Sequence, residues 1–203
     1  MQKLLSVLAF LVFTSLPLMA QDFSKVDVFG GYQFSRLGSE ITLVPNANGF
    51  DGSVTYNVNK KFGLEGDFNG AYQSYNSVVA AELGEATGVN VPAHFFTYSG
   101  GPVVSFRSKS RVTPFAHVMV GGARRSIAAS ASGVSVSIPS NGYAITAGGG
   151  LDMKVAKHVS IRLVQVDWVD YHFGSLLGVS GTGTSSAANF KLATGIVFNL
   201  GGK

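Results

Sequence analysis

The stretch FGLEGDFNGAYQ, residues 62–73, alternates strictly between two kinds of residue. Its even positions carry aromatic, aliphatic or glycine residues, and its odd positions carry acids, amides or small residues, with Glu65 and Asp67 near the centre. Successive side chains of a β-strand point to opposite faces. The alternation therefore predicts a strand with one apolar and one polar face.

The same period of two recurs along the rest of the chain. The other segments that show it are residues 26–34, 50–58, 96–106, 114–120, 143–153, 159–171 and 190–200. The segment at residues 159–171 changes phase midway, which predicts a β-bulge near Val164. The sequence thus predicts eight strands.

The predicted connections are sorted by length. Short connections lie at residues 60–61, 108–111 and 156–158, whereas long ones lie at residues 36–49, 74–92, 125–141 and 174–187. Short periplasmic turns, longer outer loops and an even strand number are typical of outer-membrane barrels. A soluble β-sandwich has no comparable reason to sort its loops in this way.

The composition excludes several classes of protein. Charged residues make up 13% of the 203 residues, about half the roughly 25% that is usual for soluble domains. Hydrophobic residues make up 46%, which excludes a disordered chain. The absence of Cys excludes disulfide scaffolds, thiol nucleophiles and Cys-based zinc sites. The 26 glycines are interpreted as small residues that allow close strand packing.

The first twenty residues predict a secretory signal peptide. Lys3 precedes a mostly apolar run from Leu4 to Phe13, and cleavage is expected after Ala20, although Leu18 is larger than the usual residue there. The alternative is a membrane anchor, but the run is shorter than the roughly 20 residues that a spanning helix needs. We expect residues 1–20 to be removed and residues 21–203 to form one barrel domain.

Together these patterns predict an all-β, eight-stranded antiparallel up-and-down transmembrane β-barrel with both termini in the periplasm. In lipid every backbone polar group must be paired within the protein, so strands span a membrane only as a closed cylinder. The apolar faces should then point outward, and aromatic side chains near the strand ends should form girdles at the two interfaces. The aromatic residues assigned to girdles are Phe50, Phe62, Tyr72, Phe106, Tyr143, Trp168 and Tyr171.

The sequence resembles the small eight-stranded outer-membrane β-barrel family of Gram-negative bacteria, which includes the membrane domain of outer-membrane protein A. The resemblance is carried by residues 28–32, 113–122, 148–152, 160–163 and 195–200. It implies location in the cell outer membrane, with outer-membrane lipids, lipopolysaccharide and the barrel-assembly machinery as partners. In that family the last strand carries an assembly signal, which Gly195, Phe198 and Leu200 match. The chain departs from the pattern by continuing to Lys203.

Charged residues on the polar faces predict a network inside the barrel. If residues 152–162 form a hairpin around Lys157, Asp152 lies opposite Arg162 and Lys154 lies opposite Ser160. The predicted network consists of Glu65, Asp67, Asp152, Lys154, Arg162 and Asp167. Its functional interpretation is an ion or proton path. The structural interpretation is a packed plug, which is favoured because side chains fill an eight-stranded barrel, so no substantial open pore is expected.

An outer-membrane enzyme that modifies lipid A by acyl transfer or deacylation is the alternative. His158 and Ser160 have the two-residue spacing seen in deacylases, which resemble this chain in strand number, but they lie at a short turn, whereas the deacylase site lies toward the outer leaflet. We therefore expect no catalytic residue and no cofactor. His94 and His117 are predicted to face the lumen, but two His residues without further ligands are a weak metal signal, so no metal site is expected.

The remaining basic residues suggest contacts at the two membrane surfaces rather than nucleic acid. Lys60, Arg107 and Arg111 are among those that flank the short turns, where they should be solvated. Arg124 and Arg125 are predicted at the opposite rim, where they could meet lipopolysaccharide phosphates. The long loops, rich in Ser, Ala, Gly and Val, leave their extracellular ligand unknown. The predicted role is structural or surface interaction, with a narrow channel as a further alternative.

Overall fold

Eight strands make up nearly all of the chain that the computed structural model describes, namely residues 23–36, 46–74, 92–131, 134–173 and 189–201. They are β1 (Val26–Arg36), β2 (Asn46–Asn57), β3 (Phe62–Ser74), β4 (Pro92–Ser105), β5 (Val112–Ala131), β6 (Val134–Ala156), β7 (Val159–Phe173) and β8 (Asn189–Leu200). Within these ranges no helix is long and apolar enough to cross a membrane. The predicted signal peptide at residues 1–20 lies outside the described ranges and stays a prediction.

The sheet closes on itself. Each strand pairs antiparallel with the next in sequence, and β1 also pairs with β8, so that the order β1 to β8 forms a closed barrel. Every strand therefore has two hydrogen-bonded neighbours, which satisfies the backbone without water. The predicted fold class is confirmed.

The predicted bulge in β7 is confirmed. Leu151 pairs with Val164 but its neighbour Asp152 pairs with Arg162, which leaves Leu163 as an extra residue. The register with β8 shifts at the same place, since Arg162 pairs with Gly195. Consequently the inward face of β7 changes from even to odd positions after the bulge.

The barrel is polar inside and apolar outside. Among the described residues, buried polar side chains outnumber buried hydrophobic ones. Large apolar side chains cover the outer surface instead, as at Tyr98 (61% exposed) and Val120 (62% exposed). This arrangement confirms that the apolar faces point toward lipid, because a soluble protein would bury them.

Six of the seven aromatic residues assigned to girdles lie exposed on the outer surface, and one does not. The six are Phe50, Phe62, Tyr72, Phe106, Tyr143 and Trp168. Tyr171 is buried in the lumen at 7% exposure, so its assignment was wrong. The reason is the bulge, which turns the odd positions of the later part of β7 inward.

The predicted connection at residues 125–141 was also wrong. β5 and β6 are 20 and 23 residues long and stay paired up to Ala131 and Val134. About 9–11 residues suffice to span the membrane, so this hairpin extends beyond it. Residues 134–138 read VSVSI, and this alternation of β-branched and polar residues is itself a strand pattern. In the predicted connection at residues 36–49, residues 46–49 belong to β2. Residues 37–45, 75–91 and 174–187 of the other predicted long connections lie outside the described part of the chain.

The seam between β1 and β8 depends on a pair of glycines. Gly31 pairs with Gly195 across the two strands. A Cβ at Gly31 would overlap the backbone oxygen of Thr194, and one at Gly195 would overlap the backbone oxygen of Gly30. Gly30 itself faces outward, and a Cβ there would have no neighbour within 4 Å. The strands that close the barrel therefore approach too closely for any inward side chain at this level.

We expect Gly31→Ala to destabilise the folded barrel by about 1–3 kcal/mol or more, because the new methyl group meets backbone that has no room to move. Gly30→Ala is the matched control and should change the free energy of unfolding by less than about 1 kcal/mol. Urea unfolding in detergent, followed by the heat-dependent mobility shift on gels, measures both. Equal effects of the two substitutions would contradict this account of the seam.

Candidate functional site in the barrel lumen

A single buried lysine connects four strands at the centre of the lumen. The Nζ of Lys191 on β8 lies 2.9 Å from Oδ2 of Asp51 on β2 and 3.0 Å from Oδ2 of Asp167 on β7. Oδ2 of Asp67 on β3 lies 3.8 Å from the same nitrogen. All four residues are at most 5% exposed. Because a buried charge is costly unless it is paired, these contacts fix the lysine in place.

A histidine joins the same cluster from a fifth strand. The Nε2 of His117 on β5 lies 2.9 Å from Oδ1 of Asp167, and its Nδ1 lies 3.3 Å from Oε2 of Glu65. The side chains of all three residues are at most 1% exposed. Both ring nitrogens face carboxylates, and only an imidazolium donates from both nitrogens. His117 therefore bridges β3 and β7 through the lumen.

An arginine forms the second centre of charge. Nε of Arg162 on β7 donates to Oδ1 of Asp152 over 2.8 Å, and Nη2 donates to Oδ2 over 3.2 Å. The guanidinium carbon lies 4.2 Å from the ring centre of Phe29 and 4.3 Å from that of Phe115. Two ring faces and a bidentate carboxylate thus hold this cation in one orientation.

Gln165 connects the two centres. Nη1 of Arg162 donates to Oε1 of Gln165 over 2.6 Å, and Nε2 of Gln165 donates to Oδ2 of Asp167 over 2.6 Å. The result is one continuous set of contacts, which we call the lumen network. Its members are Asp51, Glu65, Asp67, His117, Asp152, Arg162, Gln165, Asp167 and Lys191.

The structure brings together five of the six residues predicted for an interior network. Asp152 lies opposite Arg162 and Lys154 lies opposite Ser160, which is the register deduced from the sequence. Lys154 does not join the network, because its side chain is exposed at the short-turn end of β6. It lies two residues from the end of the strand, and no described carboxylate forms an ion pair with it.

Sequence reasoning placed His117 in the lumen, as the structure shows, but not in the network, and it missed three further members, namely Asp51, Gln165 and Lys191. Their signal was alternation: Asp51 lies between Phe50 and Gly52, and Lys191 lies between Phe190 and Leu192. Alternation shows which face a residue occupies but not which strand lies across the lumen from it. Recognising the partners requires the register of all eight strands.

His94 was wrongly predicted to face the lumen. On β4 the buried positions are odd-numbered, as at Phe95 and Thr97, so His94 lies on the outer face. There its ring packs edge-on against Tyr72 at 5.3 Å between centres. In the described part of the chain, no group of three His, Cys, Asp or Glu residues is arranged to hold a metal ion.

The two arginines predicted at the outer rim have different surroundings. Arg124 is exposed, whereas Arg125 is partly buried, because neighbouring residues of β5 face opposite sides of the sheet. Arg124 therefore points away from the lumen and Arg125 points toward it. Only Arg124 has the orientation that the lipopolysaccharide interpretation requires.

The residues of the enzyme alternative, and Phe198 and Leu200 of the assembly signal, lie near the short-turn end, whereas Gly195 lies in the middle of β8. Oγ of Ser160 is occupied as a donor to Oδ1 of Asn199 over 2.7 Å, and Nδ1 of His158 lies 3.2 Å from the backbone oxygen of Asn199. Phe198 and Leu200 are exposed on the outer face at 51% and 48%, while Gly195 lies in the β1–β8 seam. The role of these last three residues in assembly stays a prediction.

We expect Lys191→Met to destabilise the barrel by about 3–5 kcal/mol, because it removes the cation that compensates three buried carboxylates. Lys154→Met removes the same charge from an exposed position and should change stability by about 0.5 kcal/mol or less. The free energy of unfolding in urea, measured for both variants in the same lipid or detergent, provides the comparison. A Lys191 variant as stable as the Lys154 variant would show that the network contributes nothing to folding.

Comparison with known proteins agrees with this geometry. The family model for the outer membrane protein beta-barrel domain matches residues 5–198. Ail, the attachment invasion locus protein of Yersinia pestis, superposes with a TM-score of 0.58 at 17% identity, covering 87% of this chain and 98% of Ail. Neisserial surface protein A gives a TM-score of 0.54 at 15% identity, with coverage of 87% and 98%.

A major outer membrane protein from Thermus thermophilus gives a TM-score of 0.57 at 10% identity, covering 85% of this chain and 98% of that one. No curated protein sequence matches the chain. At such low identities the structural likeness shows the fold alone. Because the family model covers nearly the whole chain, the protein belongs to the outer membrane protein beta-barrel domain family and is an integral β-barrel of the outer membrane.

Proposed function

We propose that the protein is a closed, non-enzymatic barrel that contributes to the structure of the outer membrane and presents its outer end for surface interactions. The lumen network is the observation that carries the closed part of this proposal. Its ion pairs cross between β2, β3, β5, β7 and β8. A solute that crossed the lumen would have to separate buried pairs, which costs several kcal/mol each.

A narrow channel is the second candidate, and one observation favours it. A cavity of about 50 Å³ lies between the lumen network and the short-turn end, with Asp27, Glu65 and Arg162 in its lining. It is large enough for water. Side chains therefore fill the lumen at the level of Lys191 but leave space between Lys191 and the short-turn end. The closed barrel and the narrow channel differ only in whether the contacts of the lumen network separate to let a solute pass.

We expect the purified protein to show no stable conductance steps in planar bilayers, because the network fills the lumen. The double variant Arg162→Ala/Lys191→Ala, which removes both large cations, should show intermittent openings. Single-channel recording at matched salt and voltage compares the two. Discrete, reproducible openings of the unsubstituted protein would replace the closed-barrel proposal with the channel.

The geometry at residues 158–160 supports a non-enzymatic role. Ser160 is 6% exposed, and its hydroxyl hydrogen is directed to Asn199 rather than to a base. A nucleophilic serine needs a base within hydrogen-bonding reach that accepts its proton. His158 is instead placed beside a backbone oxygen, where a ring nitrogen can only donate.

The outer end supports the surface-interaction part of the proposal. Arg124 is exposed on the outer face and pairs in register with Phe96 and Asn141. Nearby, Tyr143 and His172 stack at 4.4 Å between ring centres, which places two rings on the adjoining strands β6 and β7. An outward guanidinium beside interfacial aromatics suits the phosphates of lipopolysaccharide. Ail, a structural neighbour, has been solved with the heparin analogue sucrose octasulfate, which is also a polyanion.

We expect Arg124→Ser to lower the affinity for lipopolysaccharide by about threefold to tenfold, the contribution of one charge-assisted contact. Lys109→Ser is the matched control, because Lys109 is an exposed cation at the opposite end of the barrel. Binding of fluorescent lipopolysaccharide to the protein in neutral detergent measures the effect. The same affinity for both variants and the unsubstituted protein would remove Arg124 from the proposal.

A further inference from the structure

The geometry points to a binding site for a compact, soluble polyanion carrying clustered phosphate groups, at the periplasmic mouth of the barrel. This site is independent of the surface role proposed above. It is a cavity of about 170 Å³, which we call the basic cup. Its basic lining residues are Lys60, Arg107, Arg111, Lys154, Lys157 and His158. They come from all three short turns or the strand ends beside them.

The positive charge of the basic cup is largely uncompensated. Lys60, Arg111, Lys154 and Lys157 are exposed, and they form no ion pair within 4 Å with any described residue. Arg107 is the exception, since its Nη2 lies 2.8 Å from Oδ2 of Asp27. Within the described ranges no carboxylate lines the cup itself. Four like charges around so small a volume repel one another, and a polyvalent anion between them relieves that repulsion.

The hydrogen-bond donors of the basic cup are arranged before any ligand arrives. Nη1 of Arg107 donates to the backbone oxygen of Lys60 over 3.2 Å, which fixes the guanidinium across two turns. The hydroxyl oxygens of Ser108 and Ser110 each accept a backbone N–H over 3.1 Å. Their hydroxyl hydrogens stay available to donate. Guanidinium, ammonium and hydroxyl donors around one small volume are the groups that recognise phosphate oxygens.

The position of the basic cup favours a soluble anion over a lipid headgroup. The cup shares Arg107, Thr113, Ser160 and Asn199 with the smaller cavity inside the barrel. It therefore lies on the barrel axis, and the strand wall separates it from the acyl chains. The end with short turns faces the periplasm in outer-membrane barrels, so the occupant enters from there. The charge density of the cup suits phosphates, which place more charge in a given volume than carboxylates do.

Tripolyphosphate titrated into the protein in phosphatidylcholine nanodiscs tests the site by isothermal titration calorimetry. We expect saturable binding with one site per barrel. Arg111→Gln/Lys154→Gln/Lys157→Gln should weaken it by about tenfold or more, the sum of three exposed charge contacts. The matched control, Lys25→Gln/Lys61→Gln/Lys109→Gln, removes three charges from the same end without touching the cup lining and should change the affinity by less than about threefold.

Each other outcome would overturn the assignment. If the unsubstituted protein shows no saturable binding, the site does not exist. If both triple variants lose the same affinity for tripolyphosphate, the binding is due to diffuse surface charge and not to the cup. If tetra-aspartate binds as tightly as tripolyphosphate, the site does not select phosphate over carboxylate. If adding phosphatidylglycerol to the nanodisc abolishes tripolyphosphate binding, lipid headgroups occupy the cup. The heat-dependent mobility shift confirms that each variant is folded before titration.

Discussion

The need to pair every backbone polar group inside the hydrocarbon layer governs this structure. Pairing of β1 with β8 removes both sheet edges, and that closure creates an interior with a fixed, small cross-section. Because lipid solvates the outer face, the apolar side chains go outward and the interior receives the polar ones. The lumen network follows from this inversion: charged side chains that water cannot reach must compensate one another.

Sequence alternation was sufficient to predict most of the strands and their faces, since these depend only on residues near one another in the chain. Predicting the closed architecture also required the even strand number, the sorting of the connections by length and the predicted signal peptide. The bulge at Leu163 was visible for the same reason, because it changes the phase of one segment. Tyr171 shows where the reasoning failed: a single extra residue reverses the face of everything after it. The long β5–β6 hairpin was missed because its small residues resemble a loop in composition while alternating like a strand.

The candidate site was less predictable than the fold, because its contacts cross the lumen. The pairing of Asp152 with Arg162 follows from one tight turn and was within reach of the sequence. The contact of Lys191 on β8 with Asp51 on β2 depends on the closure of the barrel, because both strands pair with β1 and the first and last strands are far apart in the sequence. Arg124 and Arg125 are an intermediate case. Once residues 125–141 are recognised as strand rather than loop, Arg124 and Arg125 must point to opposite faces, because they are consecutive residues of one strand.

The basic side chains differ along the barrel axis in whether a carboxylate compensates their charge. Lys191 and Arg162 lie among carboxylates at hydrogen-bonding distance, so their charge stabilises the fold and is unavailable to a ligand. Lys154 and Lys157 line the basic cup at the short-turn end and form no ion pair with any described residue. A side chain that is already compensated gains little from a new anion, whereas an uncompensated one gains the full interaction. The charges of the lumen network therefore stabilise the barrel, whereas the charges of Lys154 and Lys157 are not compensated by any described carboxylate.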